Sequence, residues 1–296
     1  MEGFRIPVGE WVSNGLDWIK DNAEGLLDAV DTGLEGAVDG LTAVLLAPPA
    51  LALIAVLALI GWLLRSWKLA VGTVLSFLLV VAMDMWEPAM QTLALVLIAT
   101  VIAVVVAVPL GILAARSDAV SAALRPVLDF MQTMPAFVYL IPTVLFFSIG
   151  VVPGVVSTII FSLPPGVRLT ELGIRGVDRE KVEAGHAFGA TNGQILRGIQ
   201  LPLASRTIMT GINQVIMLAL SMAVVAGIAG ADGLGKIVVA SISTLNVAQG
   251  VEAGLGVVVL AIFLDRVTSA LGSREDSRGS LLAVLSARRR TPAVAS

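Results

Sequence analysis

Long stretches of this 296-residue chain carry no charged side chain, and that feature narrows the possible folds more than any other. They include Gly40 to Leu64 (25 residues), Leu69 to Met83 (15), Pro88 to Ala115 (28), Phe130 to Val167 (38) and Thr207 to Ala231 (25). Crossing a bilayer as helix takes about 20 apolar residues, because only helices and closed barrels satisfy every backbone group away from water. None of the stretches alternates as a barrel strand would. An all-α, polytopic membrane protein is expected. Apolar residues make up 57% and charged residues 14%, against roughly 25% charged in a soluble domain. So little charge could not cover a water-soluble core.

The same counts exclude several functions. A net charge of −3 argues against a nucleic-acid partner. With no cysteine there are no disulfides or thiolate metal sites, and the lone His186 makes a histidine-based metal site untenable. No Ser/His/Asp or paired-carboxylate site can be assembled on one face. The start, Met1-Glu2-Gly3-Phe4-Arg5, lacks the basic-then-apolar pattern of a cleaved signal peptide.

Residues 1–42 form an acidic segment, with nine acidic residues against Arg5 and Lys20 in the first 40. Trp11, Trp18, Ile19, Leu26, Leu27, Val30, Leu34, Val38 and Leu41 recur largely at helical steps and build an apolar stripe. It is expected to lie on the bilayer as an interfacial amphipathic helix or to pack on the chain's own bundle. Two accessory spans follow over 43–87, divided near Arg65, Trp67 and Lys68. A core occupies 88–272, with a polar loop over 168–206, and a basic tail covers 273–296. Within the core the 38 uncharged residues are too many for one helix, and Ile149 to Gly154 is the place to fold them. Seven spans are expected. Placing the tail inside puts 16 of the 19 Lys and Arg on the cytoplasmic side, leaving only Arg5, Lys20 and Lys236 outside, so the N-terminus is expected outside.

The polar loop reads Glu183-Ala184-Gly185-His186-Ala187-Phe188-Gly189, then nine residues, then Ile199-Gln200-Leu201-Pro202. Glu180 to Phe188 suits a short helix, Gly189 a sharp turn, Thr191 or Asn192 a cap, and Pro202 the opening of the next helix. A compact helix-turn-helix standing off the membrane is expected. The pattern resembles the EAA motif of ABC-importer permeases, departing from it only at the second alanine, here Gly185. Met131-Gln132-Thr133-Met134-Pro135-Ala136-Phe137-Val138-Tyr139-Leu140-Ile141-Pro142 is similar to a segment of glycine betaine/proline-type permeases. So are Trp86-Glu87-Pro88, Gln91 to Leu95, Gly150 to Val156 and Gly211 to Met222, the last including Asn213.

This resemblance implies a type I importer permease of a bacterial cytoplasmic membrane that carries glycine betaine or a related compatible solute. It implies that Glu183, Ala184, Gly185, Gly189, Ile199, Leu201 and Pro202 couple the chain to two copies of a cytoplasmic ATPase. It also implies a second permease copy and an extracytoplasmic solute-binding protein. The chain itself is expected to bind no cofactor, since ATP and magnesium belong to the ATPase. Another cargo (amino acids, taurine or other sulfonates) and an ATP-independent secondary transporter remain as alternatives. The near-absence of deep charges and repeats weighs against the latter.

A solute path is less legible. Pro135 and Pro142, taken as lying in one span, would free carbonyls at membrane depth. Asp129, the unpaired acid nearest a core span, either meets a quaternary ammonium or faces the cytoplasmic cavity. Thr133, Phe137, Tyr139, Asn213 and Met222 are further path candidates. An aromatic cage could draw only on Phe130, Phe137, Tyr139, Phe146 and Phe147, because all five tryptophans precede the core. Gly230-Ala231-Asp232-Gly233-Leu234-Gly235-Lys236 matches seven positions of a phosphate-binding loop. Ile237 stands where Ser or Thr should hold magnesium, so it is read as a turn.

Overall fold

The computed structural model describes residues 6–272; the basic tail expected over 273–296 lies outside the described residues. Every regular element among the described residues is helical. In chain order they are α1 (Val8–Asn22), α2 (Glu24–Leu46), α3 (Ala50–Leu64), α4 (Trp67–Ala82), α5 (Trp86–Arg116), α6 (Asp118–Thr133), α7 (Leu140–Phe147) and α8 (Val151–Arg175). Then come α9 (Arg179–Ala187), α10 (Asn192–Ile195), α11 (Leu201–Ala226), α12 (Leu234–Thr244) and α13 (Val247–Gly272).

The expected seven spans are revised by this geometry. Among the described residues four helices are long and apolar enough to cross a membrane: α5, α8, the rod Asn192–Ala229 and α13. Two bent pairs raise the number to six: α2 with α3, bent by 100°, and α6 with α7, bent by 109°. At 16 residues α4 is a shorter apolar helix, about 24 Å at 1.5 Å per residue against a hydrocarbon core of ~30 Å. Proline makes both bends. Pro48-Pro49 separates α2 from α3, and Met134 before Pro135 is driven to the extended region (ψ 131°), which ends α6.

Pro135 and Pro142 do not share one continuous helix: Pro135 sits at the bend and Pro142 in the first turn of α7. Pro135 has no N–H for the Met131 carbonyl four residues back, and the Tyr139 hydroxyl donates to that oxygen instead. Tyr139 is buried, so the freed carbonyl is satisfied inside the protein. Tyr139→Phe should cost about 1–3 kcal/mol, the penalty of an unpaired buried acceptor. Thermal unfolding in detergent would show it, with Phe137→Leu, at an exposed position, as the neutral comparison.

The centre of the molecule is α5, α8 and α11 packed through small residues. A Cβ on Gly111 would stand 2.5 Å from Thr170 Cβ, one on Gly166 2.8 Å from Ala107 Cβ, and one on Gly211 2.9 Å from Leu169 Cβ. Such close approach is how helices associate where lipid removes the hydrophobic drive between them. Buried hydroxyls on α8 bond back along the helix, Ser157 to the Pro153 carbonyl and Thr158 to that of Gly154, both at 2.7 Å.

Of the two readings of the N-terminal stripe, α2 takes the packed one: Val38 is buried, and Leu34, Leu41 and Leu45 pack on the same core as α5. Helix α2 also runs on to Leu46, past the boundary drawn at residue 42. Helix α1 buries no residue and leaves Trp11 and Trp18 exposed.

Candidate functional site

At one end of the bundle the chain leaves α8 at Arg175, turns through Gly176 and Val177, and enters α9. Asp178 caps α9 by accepting from the Glu180 N–H at 3.0 Å. The helix closes on Gly189, whose φ of 75° lies in the left-handed region. Two hydrogen bonds seal the turn: Gly189 N–H to the His186 carbonyl (2.9 Å) and Ala190 N–H to the Gly185 carbonyl (3.1 Å). This pairing is the Schellman arrangement, in which glycine takes the conformation an L side chain resists. Thr191, not Asn192, then caps the next helix, with a reciprocal capping box to Gln194.

One expectation about this loop is corrected. Its second limb is not a free-standing short helix. Helix α10 continues through one π turn, Leu196–Gln200, directly into α11. The Leu201 N–H reaches back to the Leu196 carbonyl, five residues away, just before Pro202, which has no N–H to offer. Pro202 lies at the opening of α11. The result is one rod from the loop to the far side of the bundle, with α9 laid against its tip.

Gly185 occupies the contact between α9 and the rod. It is buried, and a Cβ there would meet Ile199 Cδ1 at 2.9 Å and Ile195 Cγ1 at 3.2 Å, so glycine lets α9 sit closer than alanine would. Behind the contact, Ile174, Leu196 and Ala204 form a buried cluster with Ile112, Ala115, Leu201 and Ile208. The loop is thereby joined to α5, α8 and α11 together. Glu183 and Ala184 face outward. So does Phe188, 93% exposed at the tip of the turn. It occupies the unspecified spacer before Gly189.

The path candidates do not converge. Asp129 is not unpaired, as the sequence reading had it, because Arg168 of α8 forms an ion pair and hydrogen bond with it. Arg175 reinforces the same α6–α8 seam through Asp118 (2.7 Å) and Glu171 (2.9 Å), and the Ser121 hydroxyl donates to Glu171 at 2.7 Å. The Asp129 side chain is 64% exposed, and exposed pairs contribute about 0–1 kcal/mol. Asp129→Asn should therefore lower stability by no more than about 1 kcal/mol, measured by thermal unfolding in detergent.

Met222 is fully buried against Tyr139, Leu140 and Ala229, so neither Met222 nor Tyr139 faces a path in this conformation. Asn213 ties α11 to α13: its amide donates to Asp265 at 2.9 Å, and its carbonyl accepts from the Thr268 hydroxyl at 2.8 Å. Thr133, Pro135 and Phe137 remain exposed at the α6–α7 bend. Among the described residues these aromatics form no cage: Phe146 and Phe147 meet edge-on, and Tyr139 meets Phe161 edge-on.

The described residues thus form a helical bundle with one polar loop projecting from the ends of its central helices. Residues 107–276 match the family described as binding-protein-dependent transport system inner membrane component, and the chain belongs to that family. It is 45% identical over 276 residues to the glycine betaine transport system permease protein OpuAB of Bacillus subtilis, covering 93% of this chain and 98% of that one. It is 46% identical to the glycine betaine/proline betaine transport system permease protein ProW of Escherichia coli over 275 residues, 93% of this chain and 78% of that one. Among solved structures, a chain of an inward-facing MetNI methionine ABC transporter aligns with a TM-score of 0.58 at 21% identity, over 66% of this chain and 96% of that one. At that identity the likeness concerns the fold alone, the type I importer permease fold. The chain is thus a multi-pass membrane permease of a transport system.

Proposed function

We propose that this chain is the membrane-spanning permease of an ATP-driven importer for glycine betaine or a related compatible solute such as proline betaine, carnitine, choline or proline. The observation that carries the cargo is the 45–46% identity, along more than nine-tenths of the chain, to permeases named for glycine betaine. Two copies of the chain frame the path, an extracytoplasmic binding protein delivers the solute, and two cytoplasmic ATPase subunits bind ATP and magnesium. The N-terminus lies outside and the C-terminus inside, in keeping with the excess of Lys and Arg on the loop side.

The coupling role falls to Glu183, Ala184, Gly185, Gly189, Ile199, Leu201 and Pro202, with Phe188 added from its exposure. What supports it is the continuity of the rod: force on α9 passes through Ile195 and Ile199 into α11 without crossing a flexible joint. The scattered path candidates support a permease of weak intrinsic affinity, with selectivity set by the binding protein. Thr133, Pro135 and Phe137 stay as the candidates open to a solute.

The test is uptake into vesicles holding the permease, its ATPase and its binding protein. Labelled glycine betaine should enter only with ATP inside the ATPase compartment, and unlabelled proline betaine or carnitine should compete while taurine does not. Uptake of taurine in place of betaine would overturn the cargo. Uptake that survives ATP removal and collapses with an uncoupler would overturn the ATP-driven reading.

A further inference from the structure

We infer that α1 lies on the membrane surface at the end of the bundle away from α9, with its tryptophan-bearing face sunk into the boundary between headgroups and acyl chains. Helical spacing puts Val8, Trp11, Val12, Gly15, Trp18 and Ile19 on one face of α1. Glu10, Ser13, Asn14, Asp17 and Asp21 fall on the other. No residue of α1 is buried, and Trp11, Val12 and Trp18 are 62%, 56% and 67% exposed. Apolar and acidic residues are thus cleanly separated, and among the described residues nothing covers the apolar half. That face calls for an apolar phase from outside the chain.

Three observations identify that phase as lipid. The first is place. Helix α2, which α1 joins at Ala23, packs on α7, and α7 is pinned near the start of α8 by the 2.7 Å bond between the Thr143 and Ser157 hydroxyls. Since α8 ends at Arg175 beside α9, α2 crosses the opposite end of the bundle. It also leaves α3 at 100°, so with α3 entering the bilayer α2 runs nearly along the surface and holds α1 there. The second is continuity. Exposed apolar side chains carry on from α1 through Leu26 and Val44 of α2 to Leu51 and Leu59 of α3. In a membrane permease the exposed face of an apolar helix such as α3 meets lipid. The third is composition. Tryptophan joins an apolar ring to a polar N–H and gathers at membrane interfaces. A helix with one apolar face, one charged face and low net hydrophobicity lies in the interface plane and does not cross it. Charge then refines the surface α1 fits. With Glu10, Asp17 and Asp21 against Lys20 alone, the helix is repelled by anionic headgroups and fits a zwitterionic surface better.

Spin labels on the full-length permease in vesicles test this, and the absence of cysteine from the chain makes any introduced one unique. Gly15→Cys, where a Cβ meets nothing within 4 Å, reports the apolar face and Asp17→Cys the acidic one. In phosphatidylcholine, collisions at position 15 should favour oxygen, which concentrates in lipid. Those at position 17 should favour a neutral nickel chelate, which stays in water. Trp11→Ser/Trp18→Ser should abolish that contrast, and Trp11→Phe/Trp18→Phe should keep most of it. Because α1 buries nothing, neither pair disturbs the bundle. In vesicles made half of phosphatidylglycerol, the contrast should weaken at about 0.01 M salt and recover several-fold at about 0.1 M, as the Debye length falls from about 30 Å to about 10 Å. Nickel dominating at both positions would leave the face in water and overturn the proposal. So would a position-15 label immobilised and closed to both reagents, which would assign the face to a second copy or another protein. A contrast unmoved by the serine pair, or strengthened by anionic lipid, would overturn it too. None of these outcomes depends on ATP or on the solute carried, so the proposed function is tested separately.

Discussion

Gly189→Val is expected to lower solute uptake at least tenfold while leaving the permease folded, as the proposed coupling role of its loop requires. The φ of 75° at this position costs an L residue about 1–2 kcal/mol, and a β-branched side chain adds to it. A Cβ here meets nothing within 4 Å, so the strain is entirely in the backbone and is relieved by opening the turn. Opening it breaks the two bonds that close α9, Gly189 to His186 and Ala190 to Gly185, and swings Phe188 and Glu183 out of position.

A shift of about 1.4 kcal/mol in the population of the docked loop is already tenfold. Gly189→Asn is the control, because asparagine tolerates this conformation, and it should retain more than about half of wild-type uptake on the same reasoning. Glu183→Lys should uncouple without straining the turn, since Glu183 faces outward. The measurement is uptake and solute-stimulated ATP hydrolysis in vesicles, beside thermal unfolding of the permease. Unchanged coupling in both Gly189→Val and Glu183→Lys would remove α9 from the mechanism.

The second large effect is on folding. Gly235→Val should prevent accumulation of the folded permease, measured as the monodisperse fraction after detergent extraction. Gly235 marks a crossing of two backbones: a Cβ there would lie 2.5 Å from the Ala223 carbonyl oxygen and 2.8 Å from Val224 Cα. No rotamer change relieves a clash with backbone, and overpacking costs about 1–3 kcal/mol, occasionally more. Expelling α12 would also unseat fully buried Leu234 and break the 2.8 Å bond from its N–H to the Thr92 hydroxyl. Gly254→Ala on α13, where nothing lies within 4 Å, should be neutral or gain about 0.5–1 kcal/mol. The glycines that imitate a phosphate-binding loop thus serve packing and turn geometry. Gly230 and Gly233 have φ of 90° and 117°, and wild type should bind no nucleotide at this segment.

Those glycines show how far the sequence could be read. The failed eighth position was enough to set the nucleotide reading aside, yet nothing in the chain revealed that Gly235 meets Ala223. The EAA spacing located α9, its turn and Pro202 to within a residue or two, because caps, turns and proline act on their immediate neighbours. The same spacing could not say that α10 runs unbroken into α11, since one π turn absorbs the proline that suggested a boundary. The bend at Pro135 carries a usable local signal, a residue before proline disfavouring helix, which the long uncharged run around it masks.

What the amino-acid order determined alone was set by short-range rules: which segments are apolar enough to avoid water, and the caps and turn of α9 in the polar loop. Tertiary structure alone decided the pairings between distant segments, Asp129 with Arg168, Asn213 with Asp265, Tyr139 with the carbonyl Pro135 leaves open, and Met222 with the core instead of a path. A polar side chain in a span looks the same on paper whether it meets a solute or a neighbouring helix. Only the packing of helices against one another chooses its partner.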